Sequence, residues 1–309
     1  MLIENKIFCL LLFLINCGFC KSQPINLFIL GNVQDAGSPH PGCEKACCAG
    51  LWLQPDASRK VVSLGVVDEA NEKTYLIEAT PNLPEQMEFL HSRLTFEHAV
   101  LPDAIFLTHA HIGHYTGLMY LGREGLGTRN VQVYVMARMK VFLELNGPWS
   151  QLVGLHNIEL HQLNAGKKTK LSGSLQITPI LVPHRDEFSE TVGYYIKGKE
   201  KTLLFIPDID KWYRWETDIR ELVKEVDYAL LDASFFADGE IPRDMGEIPH
   251  PFVVETMALF KDLPEADRNK IWFIHMNHTN PMLYPESDAS KEVLQAGYHI
   301  ARMGDVFEL

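Results

Sequence analysis

Short apolar runs broken by glycine, proline and charged residues set the rhythm of this chain. Residues 131–135 (Val-Gln-Val-Tyr-Val) alternate strictly, the period of a strand with one buried face. Runs at 25–30, 61–67, 73–78 and 104–107 predict further strands, each bounded by polar or Gly-rich turns. So do 158–163, 175–181, 192–196, 202–206, 228–231, 270–274 and 306–309. Helical spacing marks 84–94, with Pro84 at its start and Met87, Leu90 and Leu94 on one face. Helices are also expected over 113–121, 137–145, 217–225, 251–260 (Pro251 at its first position) and 287–295. Two mixed sheets packed together and covered by helices accommodate this order as an α/β, four-layer αββα sandwich. Periodicity alone fits a doubly wound sheet equally well, so the chemistry-bearing residues must arbitrate.

Composition narrows the setting. The 309 residues are 46% hydrophobic, enough for a sizeable core. A formal charge of −12, with no Lys/Arg run longer than two, argues against nucleic acid as partner. Lys6, the apolar run 7–15 and a polar exit at 16–23 read as a secretory signal peptide over residues 1–22. That run is too short to span a bilayer, and a secreted or periplasmic domain over 23–309 is expected. Cys17 and Cys20 add the option of a lipid anchor. With Cys9, they leave with the leader, and the mature chain keeps Cys43, Cys47 and Cys48. Three clustered thiols are no disulfide framework; they fit a metal site or a reactive cluster.

The chemistry concentrates at strand ends. The run 104–107 leads into Thr108-His109-Ala110-His111-Ile112-Gly113-His114, three histidines within six residues. Residues two apart in extended chain share a face, so His109 and His111 can offer both imidazoles to one point, with His114 close by. Imidazole suits zinc and other first-row metals. His184 follows the strand at 175–181, Asp208 the strand at 202–206, and His275 ends the strand at 270–274. Strand ends are where rigid scaffolds present functional groups.

These motifs resemble the metallo-β-lactamase superfamily, whose signature is His-x-His-x-Asp-His followed downstream by His, Asp and His. The resemblance covers about residues 25–300 and implies the αββα sandwich with metals at one edge of the two sheets. It carries His109, His111 and His184 to a first metal position, with Asp208 bridging, and His114 and His275 to a second. Gly113 stands where the family has its aspartate, so the second position is expected to rest on His114, His275 and Asp208 alone and to bind weakly. Restoring the acid (Gly113→Asp) is expected to tighten it.

Within the superfamily, His184-Arg-Asp-Glu-Phe-Ser-Glu-Thr191-Val-Gly193-Tyr and His275-Met-Asn-His278-Thr-Asn-Pro281 are similar to blocks of the pyrroloquinoline quinone biosynthesis protein B group. The cyclic phosphodiesterases of phosphonate breakdown share the His-x-x-His. Those relatives imply a structural zinc held by Cys43, Cys47, Cys48 and His278. His40 competes as fourth ligand, and free or vicinally oxidised thiols are the alternative.

Three functions follow. The first is an exported zinc hydrolase in which metal-activated water attacks an ester, phosphodiester or similar small molecule. Asp208 would orient that water or take its proton. Arg185 can clamp a carboxylate or phosphate bidentately. His250 occupies a loop where the phosphodiesterases place a transition-state donor. Bland readings pair Arg185 with Asp186 or Glu187 and let His250 cap the following helix. The second function is an iron-dependent oxidative enzyme, as the quinone-biosynthesis likeness implies. The third is a non-catalytic metal-binding protein.

Overall fold

The apolar runs become two seven-stranded sheets in a computed structural model that describes residues 24–309. The signal expected over 1–22, with Cys9, Cys17 and Cys20, lies outside the described residues. The first strands are β1 (Ile25–Gly31), β2 (Ser63–Asp68), β3 (Lys73–Ile77), β4 (Ala104–Phe106), β5 (Val131–Val135) and β6 (Ile158–Gln162). Next come β7 (Thr169–Lys170), β8 (Gln176–Leu181), β9 (Val192–Lys197), β10 (Thr202–Ile206) and β11 (Tyr228–Asp232). Then follow β12 (Ile271–Ile274), β13 (His299–Ile300) and β14 (Val306–Glu308). One sheet has the order β14-β1-β2-β3-β4-β5-β6 and the other β13-β12-β11-β10-β9-β8-β7.

Strand β10 shows why the layers form. Leu203 and Phe205 belong to the core between the sheets, with Leu27, Leu64, Ile77, Phe106, Tyr194 and Leu230. Its alternate residues, Leu204 and Ile206, pack outward against Ile219, Val223, Val253, Phe260 and Val293 of the covering helices. A strand buried on both faces must be apolar, which is how 203–206 (Leu-Leu-Phe-Ile) reads. The other sheet does the same, setting Leu76, Ile105 and Val133 against Leu83, Met87, Leu90, Met139 and Leu143. Helix, sheet, sheet, helix is the resulting order of layers.

Strands β3 to β6 run parallel, and so do β10 to β13. Groups that follow the carboxyl ends of parallel strands collect in one crevice. His109 and His111 come after β4, Asp208 after β10, and His275 after β12, while Asp232 closes β11.

Two helix expectations are corrected. Residues 113–121 are not one α-helix: an α-turn at Ile112–Tyr115 gives way to a 3₁₀ segment at Thr116–Leu121. An added Cβ on Gly117 would lie 2.0 Å from the Thr80 carbonyl oxygen. That close pass tightens the turn. Pro251 is not the first residue of its helix, which spans Val253–Phe260; Phe252 caps it and its N–H donates to Glu255 Oε2 (2.8 Å). Among the described residues no helix is long and apolar enough to cross a membrane.

Candidate metal centre

Four groups that could ligate a cation meet at His109, His111, His184 and Asp208, with one donor atom of each within 4.8 Å of the others. His109 Nε2 stands 2.8 Å from His111 Nδ1, and His184 Nε2 stands 3.3 Å from the same atom. Asp208 closes the set, Oδ2 lying 3.3 Å from His109 Nε2 and Oδ1 lying 3.2 Å from His184 Nε2. Tetrahedral zinc–nitrogen bonds of about 2.0–2.1 Å imply donor separations of about 3.3 Å. The cluster therefore has the size of a coordination shell.

A second set shares Asp208 and adds His114, His275 and Asp35. Asp35 Oδ1 lies 2.8 Å from His114 Nε2 and 3.4 Å from His275 Nε2. Asp208 Oδ2 faces the same two nitrogens at 3.7 and 3.9 Å. The expectation of a second position short of a carboxylate does not hold, because Asp35 occupies the space. The expected benefit of Gly113→Asp is also corrected: an added Cβ at 113 would lie 2.4 Å from Asp35 Cα. Sequence reading passed over Asp35 within its Gly-rich turn; the glycine at 113, where the family has an acid, was the signal to look for a carboxylate elsewhere in the chain.

Other acids hold the imidazoles from behind. Glu78, fully buried, accepts from Thr108 N–H (3.2 Å) and from the Thr108 hydroxyl (2.5 Å), and its Oε1 lies 3.1 Å from His114 Nδ1. Asp210 lies 3.3 Å from His184 Nδ1 and accepts from Arg214 (2.9 Å). Asp232 Oδ2 lies 2.8 Å from His250 Nδ1, and its Oδ1 accepts the Ser234 N–H and lies 2.8 Å from Ser234 Oγ, itself 3.0 Å from His275 Nδ1. Such carboxylate–histidine pairs fix tautomer and ring orientation in metal sites. Glu78 and His275 both adopt positive φ, +78° and +68°, a strained backbone for non-glycine residues that is common at functional sites.

Electrostatics follow from this crowding. Burial, then the charge of His114, holds His109 well below the ordinary histidine value. Burial opposes ionisation of Asp208, but His184, His250 and His275 outweigh it and keep the carboxyl well below the usual range. Burial also opposes the charge on His275, yet Asp208, Asp232 and Asp35 push it up to about 10. Asp208 Oδ1 is buried and has no hydrogen-bond partner, although His184 and His250 nitrogens stand 3.2 Å away. An orphaned, ionised oxygen facing ring nitrogens fits a cation between them. These His/Asp clusters support metal binding.

The thiols form a separate cluster. Cys43 Sγ and Cys48 Sγ each lie 3.9 Å from Cys47 Sγ, and His278 has a ring nitrogen within the same 4.8 Å limit. The short helix Ala46–Ala49 brings the adjacent Cys47 and Cys48 round to one side. Of the two candidate imidazoles, His278 joins the thiols while the His40 ring lies tilted against it, centroids 4.3 Å apart. Burial, then the neighbouring His40 and Lys45, lowers His278 to about 4, leaving the ring neutral and able to ligate. Burial and the neighbouring Cys48 and Cys43 push Cys47 up to about 12, so a cation that binds its sulfur must displace a proton held well above neutral pH.

A cavity of about 460 Å³ opens beside His250 and is lined by Arg185, Arg243, Gln34, Asn277 and Glu247. Asp186 pairs with Arg138 (3.0 Å) and Glu187 with His111 (3.5 Å), so neither holds Arg185. Among the described residues Arg185 makes no ion pair. His250 does not cap the next helix; it is buried, with Nδ1 3.2 Å from Asp208 and 2.8 Å from Asp232. Sequence reading missed Asp232 and Glu78, although each stands at the end of an apolar strand as the ligands do.

Comparison with known proteins agrees with this geometry. The β-lactamase superfamily domain matches residues 73–276. Coenzyme PQQ synthesis protein B of Methylobacterium nodulans is 27% identical over 315 aligned positions, covering 91% of this chain and 99% of that protein. The zinc-bound PqqB structure from Methylobacterium extorquens superposes with a TM-score of 0.75 at 20% identity, over 92% of this chain and all of that one. A diphosphatase of the PhnP family superposes with a TM-score of 0.63 at 22% identity, over 93% and 98%. With the family domain spanning more than half of its length and the αββα layers in place, this chain belongs to the metallo-β-lactamase superfamily.

Proposed function

We propose that this chain is a two-cation hydrolase of a small anionic ester, phosphodiester or diphosphate. The observation that carries the reading is Asp208, whose two oxygens stand between two complete ligand sets. His109, His111, His184 and Asp208 would hold one cation, and Asp35, His114, His275 and Asp208 the other. Bound there, zinc-class cations supply Lewis acidity and make water a competent nucleophile near neutral pH.

The chain's own groups supply the rest. Arg185 and Arg243 draw an anionic substrate into the cavity beside His250, and Arg185 can grip a carboxylate or phosphate bidentately. Asp232 commits Nδ1 of His250, so a proton on Nε2 is the one available to the leaving oxygen. Asp208, set between the two ligand sets, would orient the attacking water. Cys43, Cys47, Cys48 and His278 would hold a separate structural zinc, a closed tetrahedral set with no open position.

A second reading has its own support. Relatives named coenzyme PQQ synthesis protein B match over nearly their whole length. That favours a metal-dependent step in the synthesis of such a cofactor, with iron at the histidine centre. Metal content of protein purified without added metal, followed by turnover of bis(p-nitrophenyl) phosphate with and without oxygen, separates the two. Zinc and oxygen-independent hydrolysis are expected. Iron at the centre, with oxygen consumed and no phosphodiester hydrolysed, would replace the first reading by the second.

A further inference from the structure

Asp35 and Gly113 meet in space although 78 positions separate them in sequence. An ideal Cβ on Gly113 would lie 2.6 Å from Asp35 Oδ1 and 2.9 Å from Asp35 Cβ. Side chains at both positions therefore compete for one volume, and only Asp35 fills it. Its Oδ1 faces His114 Nε2 and His275 Nε2 opposite Asp208 Oδ2, which completes a cage of two imidazoles and two carboxylates.

The turn carrying Asp35 is built to hold that pose. Val33 makes parallel bridges to both Val61 and Met276. Gln34 N–H donates to the Met276 carbonyl (2.9 Å), and Met276 N–H donates to Asn32 (2.8 Å). Asn32 Nδ2 anchors the turn to the Ala301 carbonyl (2.8 Å). Asp35 is thus laced to the residue next to His275, and the two donors keep a fixed spacing.

We infer that Asp35 is the carboxylate ligand of the second cation, relocated from the His-rich loop to the turn after β1, and that Gly113 is the space this relocation requires. The inference rests on the two-cation reading above. It makes positions 35 and 113 a reciprocal pair: one of them must be acidic and the other must have no side chain.

The test compares wild type, Asp35→Asn, Gly113→Asp and the double variant Asp35→Gly/Gly113→Asp. Each is loaded with zinc and dialysed; metal per chain is measured by mass spectrometry and affinity by competition with a chromophoric chelator. Asp35→Asn keeps the side-chain shape, so it should fold as wild type by circular dichroism. It should lose one zinc equivalent or bind it at least ~100-fold more weakly, beyond the ~10–100-fold seen for partners behind a ligand. Gly113→Asp should lose thermal stability and the same equivalent, and the double variant should regain both. Unchanged stoichiometry and affinity in Asp35→Asn would overturn the assignment of Asp35. Wild type that takes up zinc at the thiols alone would overturn it by a different route, removing the two-cation reading with it.

Discussion

Glu78 shows how much of this centre is decided by single residues that hold the ligand side chains without facing a cation position themselves. Its carboxylate sits in a fully buried spot, held in a positive-φ backbone, and binds Thr108 and His114 at once. Thr108 Oγ1 in turn lies 2.9 Å from His109 Nδ1, so one acid sets the orientation of a ring in each ligand set. Glu78→Gln keeps the size but can no longer accept at both oxygens. Zinc affinity at the histidine centre should fall ~10–100-fold with the fold retained, read by chelator competition and circular dichroism. Equal affinity would show that His114 and His109 hold their poses without it. At this scale the histidines were legible because each follows an apolar run that predicts a strand. Asp35 was not: it lies 79 positions from His114 and 240 from His275, and no local pattern encodes such a meeting.

At the scale of elements, the strands were legible because most are buried on two faces and read as continuous apolar runs. What the pattern lacked was contact between backbones. The expected helix over 113–121 divides because Gly117 passes against the segment after β3, its N–H donating to the Ala79 carbonyl (2.9 Å) while Ala79 N–H donates to His114 (2.9 Å). Those paired bonds lock the His114 turn onto Glu78's strand end. Gly117→Ala would place a methyl 2.0 Å from Thr80 O and 2.9 Å from Ala79 O, with no flexible side chain to yield. Overpacking of this kind costs about 1–3 kcal/mol. A lower denaturation midpoint at unchanged slope is the expected result, and a midpoint equal to that of wild type would mean the turn relaxes freely.

Across the whole molecule, the thiol cluster and the histidine centre share their supports. The loop that ends at Cys43 begins at Asp35, and the segment that ends at His278 begins at His275. The two segments are tied at both ends: Gln34, next to Asp35, is bonded to Met276 (2.9 Å), and the His40 ring lies tilted against His278 at 4.3 Å. A cation held by Cys43, Cys47, Cys48 and His278 therefore pins the far ends of the two segments that supply Asp35 and His275 to the second set. The first set hangs on the segments after β4, β8 and β10 and has no such tie, Asp208 being common to both. With zinc held by the thiols as proposed, Cys47→Ser should release it and weaken the second histidine position more than the first. Coupling between sites is commonly ~1–3 kcal/mol, or ~5–150-fold, and is reciprocal. Chelator titration of Cys47→Ser against wild type resolves the steps. A uniform loss at both histidine positions would instead point to general loosening of the fold. A loss confined to the second would show the chain using one metal site to hold the ligands of another.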